Sequence, residues 1–231
     1  TFLCLHGEPT WSYLYRKMIP VFTDAGHRVV APDLFGFGRS DKPIEDSVYN
    51  FEFHRNSLIQ LIEHLDLKNI VLVCQDWGGC LGLTIPMDMQ DRFKKLIVMN
   101  TTISNGEPLA EAAVQWMAFN ETISELPVAG IIACDAGAAV NVMDAIAYDA
   151  PFPDKNYKVG VKRFPQMIPT NVDDDAVKYG LRAIEFWSNE WSGESFMAIG
   201  MKDAILGEAA MKQLKAVIKG CPEPMKIEEA G

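Results

Sequence analysis

Nothing in the 231-residue sequence restricts the fold as much as Val71-Leu72-Val73-Cys74-Gln75-Asp76-Trp77-Gly78-Gly79. An apolar run of strand length ends on one charged residue, and small residues stand two places before it (Cys74) and two places after it (Gly78). Such spacing lets a buried strand turn sharply into a helix and leaves the side chain at the apex, Asp76, projecting from the turn. Taken alone, Asp76 also fits a second role, the N-cap of the helix that follows.

The rest of the chain supplies the sheet that such a turn needs. Strand-like runs fall at 2–5, 28–31, 70–74, 96–99, 196–199 and 225–227. Helix-like spacing of apolar residues occupies 12–25, 51–65, 79–89 and 208–219. Alternation of this kind implies an α/β fold with a mostly parallel sheet and helices on both faces. The rhythm breaks after about residue 104, where the chain turns helix-rich and then carries Pro151, Pro153 and Pro165 with no clear strand. The expected organisation is a core domain in two parts, 1–104 and 173–231, with an inserted helical cap at 105–172 lying over the ligand-binding edge of the sheet. The first residues lie already inside an apolar run, and Glu229-Ala230-Gly231 closely follows another. The chain is therefore expected to be a fragment that lacks N-terminal strands and a C-terminal end.

Composition removes whole classes of function. A formal net charge of −10 argues against a nucleic-acid or anionic-membrane surface, which would need clustered Lys and Arg. No apolar run approaches the ~18 residues of a membrane span. Five widely spaced cysteines form neither a disulfide framework nor a metal-ligand pattern, and are expected to be small buried thiols in a reducing, cytoplasmic compartment.

Two further segments turn Asp76 from a helix cap into a candidate nucleophile. The first strand runs into His6-Gly7-Glu8-Pro9, the kind of loop that supplies one oxyanion-hole N–H in α/β-hydrolases. The donors would be the backbone amides of Glu8 and of Trp77, the residue after the nucleophile. Asp33-Leu34-Phe35-Gly36-Phe37-Gly38-Arg39-Ser40-Asp41 adds a Gly-rich turn typical of the same fold. A carboxylate at the apex also limits the reaction. Displacement at saturated carbon by Asp76 gives an ester, which water can cleave at the Asp76 carbonyl, whereas a serine would be left as an ether. Carbon–halogen cleavage and epoxide opening are the two classes that follow.

On these residues the sequence resembles the haloalkane dehalogenases of the α/β-hydrolase superfamily, over essentially its whole length. The matching stretches begin with Leu5-His6-Gly7-Glu8-Pro9-Thr10-Trp11-Ser12-Tyr13-Leu14-Tyr15-Arg16, then Phe35-Gly36-Phe37-Gly38 and Gln75-Asp76-Trp77-Gly78-Gly79. Later come Ala150-Pro151-Phe152-Pro153-Asp154 and Phe196-Met197-Ala198-Ile199-Gly200-Met201-Lys202-Asp203. The resemblance is thinnest from 108 to 148, and its pattern is similar to the subfamily acting on small 1-haloalkanes and dihaloalkanes. It implies hydrolysis of an alkyl halide to alcohol, halide and a proton, with no cofactor and no metal. The partners are then a small halogenated alkane and a halide ion, and the chain is expected to be a monomer.

A departing halide is a weak base that needs N–H donors in an apolar pocket, and indole supplies them. Trp77 is the first candidate. The family's second donor is an Asn at the position of Glu8 or a cap Trp; Glu8 has no side-chain N–H, which leaves Trp116. Trp187 and Trp191 are expected to be structural. The triad acid is expected at Asp203, since the alternative position holds the carboxamide Asn100. The base should be a histidine after the acid, yet His6, His27, His54 and His64 all precede Asp76. The family places its base after a run like Glu229-Ala230-Gly231, so the histidine is expected beyond Gly231. The nearest rival is an epoxide hydrolase using Tyr148 and Tyr157 as proton donors, against which stand Gln75 and Glu8; a non-catalytic binding protein on the same fold is the other. Cys80 is expected to face the pocket where the family has an aromatic residue.

Overall fold

The computed structural model describes residues 1–135 and 140–231. Six parallel strands form one sheet, β1 (Phe2–Leu5), β2 (Val29–Val30), β3 (Ile70–Gln75), β4 (Phe93–Met99), β5 (Glu194–Gly200) and β6 (Met225–Ile227), in the order β2-β1-β3-β4-β5-β6. Side chains alternate across each strand, and the packing records it. Leu3, Leu5, Leu72, Cys74, Leu96 and Val98 enter one core cluster, while Cys4, Val73 and their neighbours Val71 and Ile97 enter a second on the other face. A 3-10 segment at Ser12–Lys17 and helix α1 (Met18–Asp24) cover the second face through Tyr15, Leu14, Met18 and Phe22. Helices α2 (Phe51–His64), α3 (Trp77–Gly82), α8 (Asp175–Asn189) and α9 (Glu208–Val217) contribute to the first.

Among the described residues between β4 and β5 there is no strand. The chain there forms α4 (Glu111–Thr122), α5 (Val128–Asp135), α6 (Val142–Asp149) and α7 (Val159–Arg163) before it reaches α8. Several expected elements differ in extent. Helix α3 ends at Gly82 rather than 89, because Pro86 has no N–H to continue the ladder and Thr84 and Ile85 close i→i+3 turns instead. The 12–25 helix begins as 3-10 and turns α only two residues before Pro20, where proline is tolerated in a first turn. Helix α8 was absent from the sequence expectations, although Ala176, Val177, Gly180, Ala183, Phe186 and Trp187 line its buried face at helical spacing. The cysteines are not uniformly buried: Cys4 and Cys74 are, Cys80 and Cys221 are partly so, and Cys134 is exposed.

Trp187 ties α8 to the region below the elbow. Its ring is fully buried and its indole N–H donates to Leu83 O at 2.7 Å. Trp187→Phe leaves that carbonyl unpaired and the site underfilled, a loss of about 2–4 kcal/mol. Urea denaturation should show a lower midpoint at unchanged slope, and an unchanged midpoint would contradict a structural role.

Candidate functional site

The strand order brings the ends of β1, β3, β4 and β5 together along one edge, where open parallel sheets bind ligands. Asp76 stands at the junction of β3 and α3 with φ 50° and ψ −129°, left-handed backbone that non-glycine residues rarely adopt. Its neighbours hold it there. Asp76 N–H donates to Asn100 O (2.8 Å), and Asp76 O accepts from the Thr101 hydroxyl (2.6 Å) and from Gly79 N–H (2.9 Å). Two glycines make room: a Cβ at Gly78 would run into Leu5 O, and one at Gly7 would overlap the Asp76 carboxylate.

The two sequence-predicted oxyanion donors, Glu8 and Trp77, converge on one acceptor. Glu8 N–H meets Asp76 Oδ1 at 2.7 Å across 68 residues of chain, and the Trp77 N–H also donates to the Asp76 carboxylate. Burial outweighs these hydrogen bonds and, with the Asp203 charge adding to it, raises the Asp76 pKa to about 6. Asp203 lies in the loop after β5. Its Oδ1 accepts from Ile205 N–H (2.8 Å) and Leu206 N–H (2.7 Å), and its Oδ2 from Asn100 Nδ2 (3.0 Å).

Asn100 is the residue that sequence reasoning undervalued. Considered only as a failed acid, it donates through Nδ2 to Gly200 O (3.0 Å) and Asp203, and accepts from Gly200 N–H (2.7 Å), fastening the end of β4 to the end of β5. Thr101, beside it, holds the elbow. The signal was present as Asn100-Thr101-Thr102 closing an apolar strand. Cys80 Sγ lies 3.9 Å from the Thr101 hydroxyl, and burial raises its pKa to about 12, so the thiol stays protonated.

The tryptophans divide by what their N–H groups do. Trp187 and Trp191 donate to Leu83 O and to Ser195 Oγ (3.0 Å), the structural role expected of them. Trp77 packs edge-on against Phe164 at 5.1 Å. Trp116 sits on α4, partly buried and stacked on Phe119 (5.9 Å), and α4 packs on the Phe164–Met167 turn, whose Phe164 also meets Trp77. Of the two tyrosines of the rival reading, the Tyr148 hydroxyl accepts from Arg16 Nη1 (3.2 Å), and Tyr157 is 45% exposed.

None of the four histidines contacts Asp76 or Asp203 among the described hydrogen bonds. The His6 ring is buried, with Nε2 accepting from Leu34 N–H (2.9 Å), and His54 lies among Tyr49, Phe53 and Phe164, its pKa pushed down to about 3 by burial. Ala230 passes beside the acid loop, where Lys202 N–H donates to its carbonyl at 2.7 Å. Among the described residues no group of three or more His, Cys, Asp or Glu is arranged to hold a metal ion.

Residues 1–231 match the family described as alpha/beta hydrolase fold. A haloalkane dehalogenase of Psychrobacter cryohalolentis is 40% identical over 223 residues, 94% of this chain and 73% of that protein. One from Mycolicibacterium paratuberculosis is 39% identical over 221 residues, 95% of this chain and 73% of that protein. Among solved structures, the tetrameric structure of haloalkane dehalogenase DpaA from Paraglaciecola agarilytica NO2 is 96% identical with a TM-score of 0.98, covering 100% of this chain and 77% of that one. That tetramer conflicts with the expected monomer, for which composition and motifs offered no surface evidence, and the monomer is not retained.

Because the native Asp76 keeps its proton up to about pH 6 while the unfolded chain loses it near 3.8, the native state binds more protons between those values. Stability from this residue therefore falls as pH rises through that window, and above it the buried charge opposes folding in full. Asp76→Asn retains an acceptor for Glu8 and Trp77 and carries no charge. It should melt a few degrees above the parent at pH 8 and together with it below pH 4; equal melting at both pH values would contradict a buried, ionised Asp76.

Proposed function

Since the chain belongs to the haloalkane dehalogenases of the α/β hydrolase fold, hydrolases acting on carbon–halide bonds, we propose that Asp76 is the nucleophile and that residues 105–172 form the cap over it. The observation that carries this reading is the hydrogen bond from Glu8 N–H to Asp76 Oδ1. With Oδ1 so held, Oδ2 attacks the carbon bearing the halogen. A C–O bond forms, the C–X bond breaks, and the halide leaves with the bonding pair. Negative charge passes from the carboxylate to the halide, where Trp77 donates first and Trp116 from the cap second.

Water then attacks Cγ of the Asp76 ester. The charge that develops falls on Oδ1, already held by Glu8 N–H, while the Trp77 N–H stabilises the same carboxylate, so the oxyanion hole serves an atom of the protein itself. Collapse expels the alcohol and restores the carboxylate, with one proton released overall. Activation of that water belongs to a histidine oriented by Asp203, the triad acid. Small haloalkanes are the substrate class, and the tetrameric state of the 96% identical DpaA supports a tetramer for this chain as well.

Exposure to 1-bromobutane or 1,2-dibromoethane should release bromide through one alkyl group carried on Asp76, visible after rapid quenching by intact mass and peptide mapping. Only the carboxylate attacks, so the single-turnover rate should be half-maximal near pH 6 and fall tenfold per unit below it. Asp76→Asn should abolish release, and Trp77→Phe should slow it at least tenfold. Bromide release that survives Asp76→Asn, or diol formation from styrene oxide in its place, would overturn the assignment.

A further inference from the structure

The chain after the oxyanion segment is pinned to the core at successive points. Thr10 N–H donates to Gly7 O (3.0 Å), Ser12 N–H to Asp33 Oδ1 (2.7 Å), and the buried Tyr15 hydroxyl to Leu5 O on β1 (2.6 Å). This fixed platform presents Tyr13 and Arg16 to helix α6. The Tyr13 hydroxyl donates to Asp144 Oδ1 (2.9 Å), and Arg16 Nη2 pairs with Asp144 Oδ2 (3.0 Å), so both carboxylate oxygens are engaged. Arg16 Nη1 reaches the Tyr148 hydroxyl and Tyr13 O, each at 3.2 Å, and the guanidinium lies 4.4 Å over the Tyr13 ring.

Asp144 and Tyr148 are four residues apart and share one face of α6. Asn141 caps that helix by accepting from Asp144 N–H at 2.9 Å. The opposite face is apolar and in solvent, with Val142 75% and Met143 73% exposed. Helix α6 thus rests on the core through the buried Tyr148 and Ala145 and through the cluster of charge and hydrogen bonds around Asp144. The polar contacts of that cluster exchange for water at little net change in free energy, so they are the part of the seat that opens most readily.

We propose that Arg16 and Asp144, with Tyr13 and Tyr148, form a latch that closes α6 onto the segment carrying the Glu8 amide, and that they are positioning residues for haloalkane capture. The proposal rests on the reading of 105–172 as a cap over Asp76. Closed, the latch keeps the substrate beside Asp76; opened, it admits haloalkane and releases halide.

The test joins hydrogen-exchange mass spectrometry of peptides spanning 141–150 with single-turnover bromide release across a range of 1-bromobutane concentrations. In Asp144→Asn and in Arg16→Gln, exchange in α6 should quicken at least fivefold. The half-saturating concentration should rise at least fivefold, with the limiting rate within twofold of the parent. Asp144→Glu should bring both readouts back to within twofold. Unchanged exchange in both variants overturns the latch, and quickened exchange with an unchanged half-saturating concentration overturns its role in capture. If the parent releases no bromide, the assignment of Asp76 fails, while the exchange data alone still decide the latch.

Discussion

The hydrogen bond between Glu8 N–H and Asp76 Oδ1 is the constraint around which the rest is arranged. It requires the ends of β1 and β3 to lie side by side, and their pairing from Phe2↔Val71 to Leu5↔Cys74 sets that register. It also requires an aspartate at a positive φ, an arrangement that costs of order 1–3 kcal/mol and is retained because the backbone of Asp76 is bonded at both ends, to Asn100 and to Thr101. Asn100 then reaches Asp203, so Asp76, Asn100 and Asp203 share one connected set of hydrogen bonds over three strands.

Much of this was legible from local patterns. Parallel order, elbow and oxyanion loop were readable because each depends on nearest neighbours: small residues beside Asp76, apolar runs of strand length, a His-Gly pair ending the first of them. What escaped depends on partners far along the chain. Asn100 looked inert because its value lies in touching Gly200 and Asp203, about a hundred residues away. Helix α8 escaped although its buried face keeps helical spacing, because its other face is charged and its start, among Asp173, Asp174 and Asp175, reads as a loop. The burial of cysteines failed at Cys134, where composition says nothing about which side of α5 faces solvent.

The core and the region between β4 and β5 are joined by different physics. Within the core, Leu3, Leu72, Leu96 and Trp187 are removed from water almost completely, which holds the sheet as one body. Helix α6 meets that body through the buried Tyr148 and through Arg16, Tyr13 and Asp144, which are partly wet. On the proposed reading, a rigid edge carrying Asp76 and a helix seated in part by polar contacts separate two demands, fixed geometry for the reacting atoms and passage for what enters and leaves.

The occupied oxyanion hole has a last implication, for what the site refuses. In acyl-transfer enzymes of this fold the two amides wait for a carbonyl oxygen of the substrate. Here Asp76 Oδ1 already sits 2.7 Å from the Glu8 nitrogen, and the Trp77 amide is drawn to the same carboxylate. An ester or amide entering the cleft finds both donors taken and its own carbonyl unsupported. On the proposed reading, selection against acyl substrates is therefore made by an atom the protein never gives up, before the size or shape of the guest is consulted.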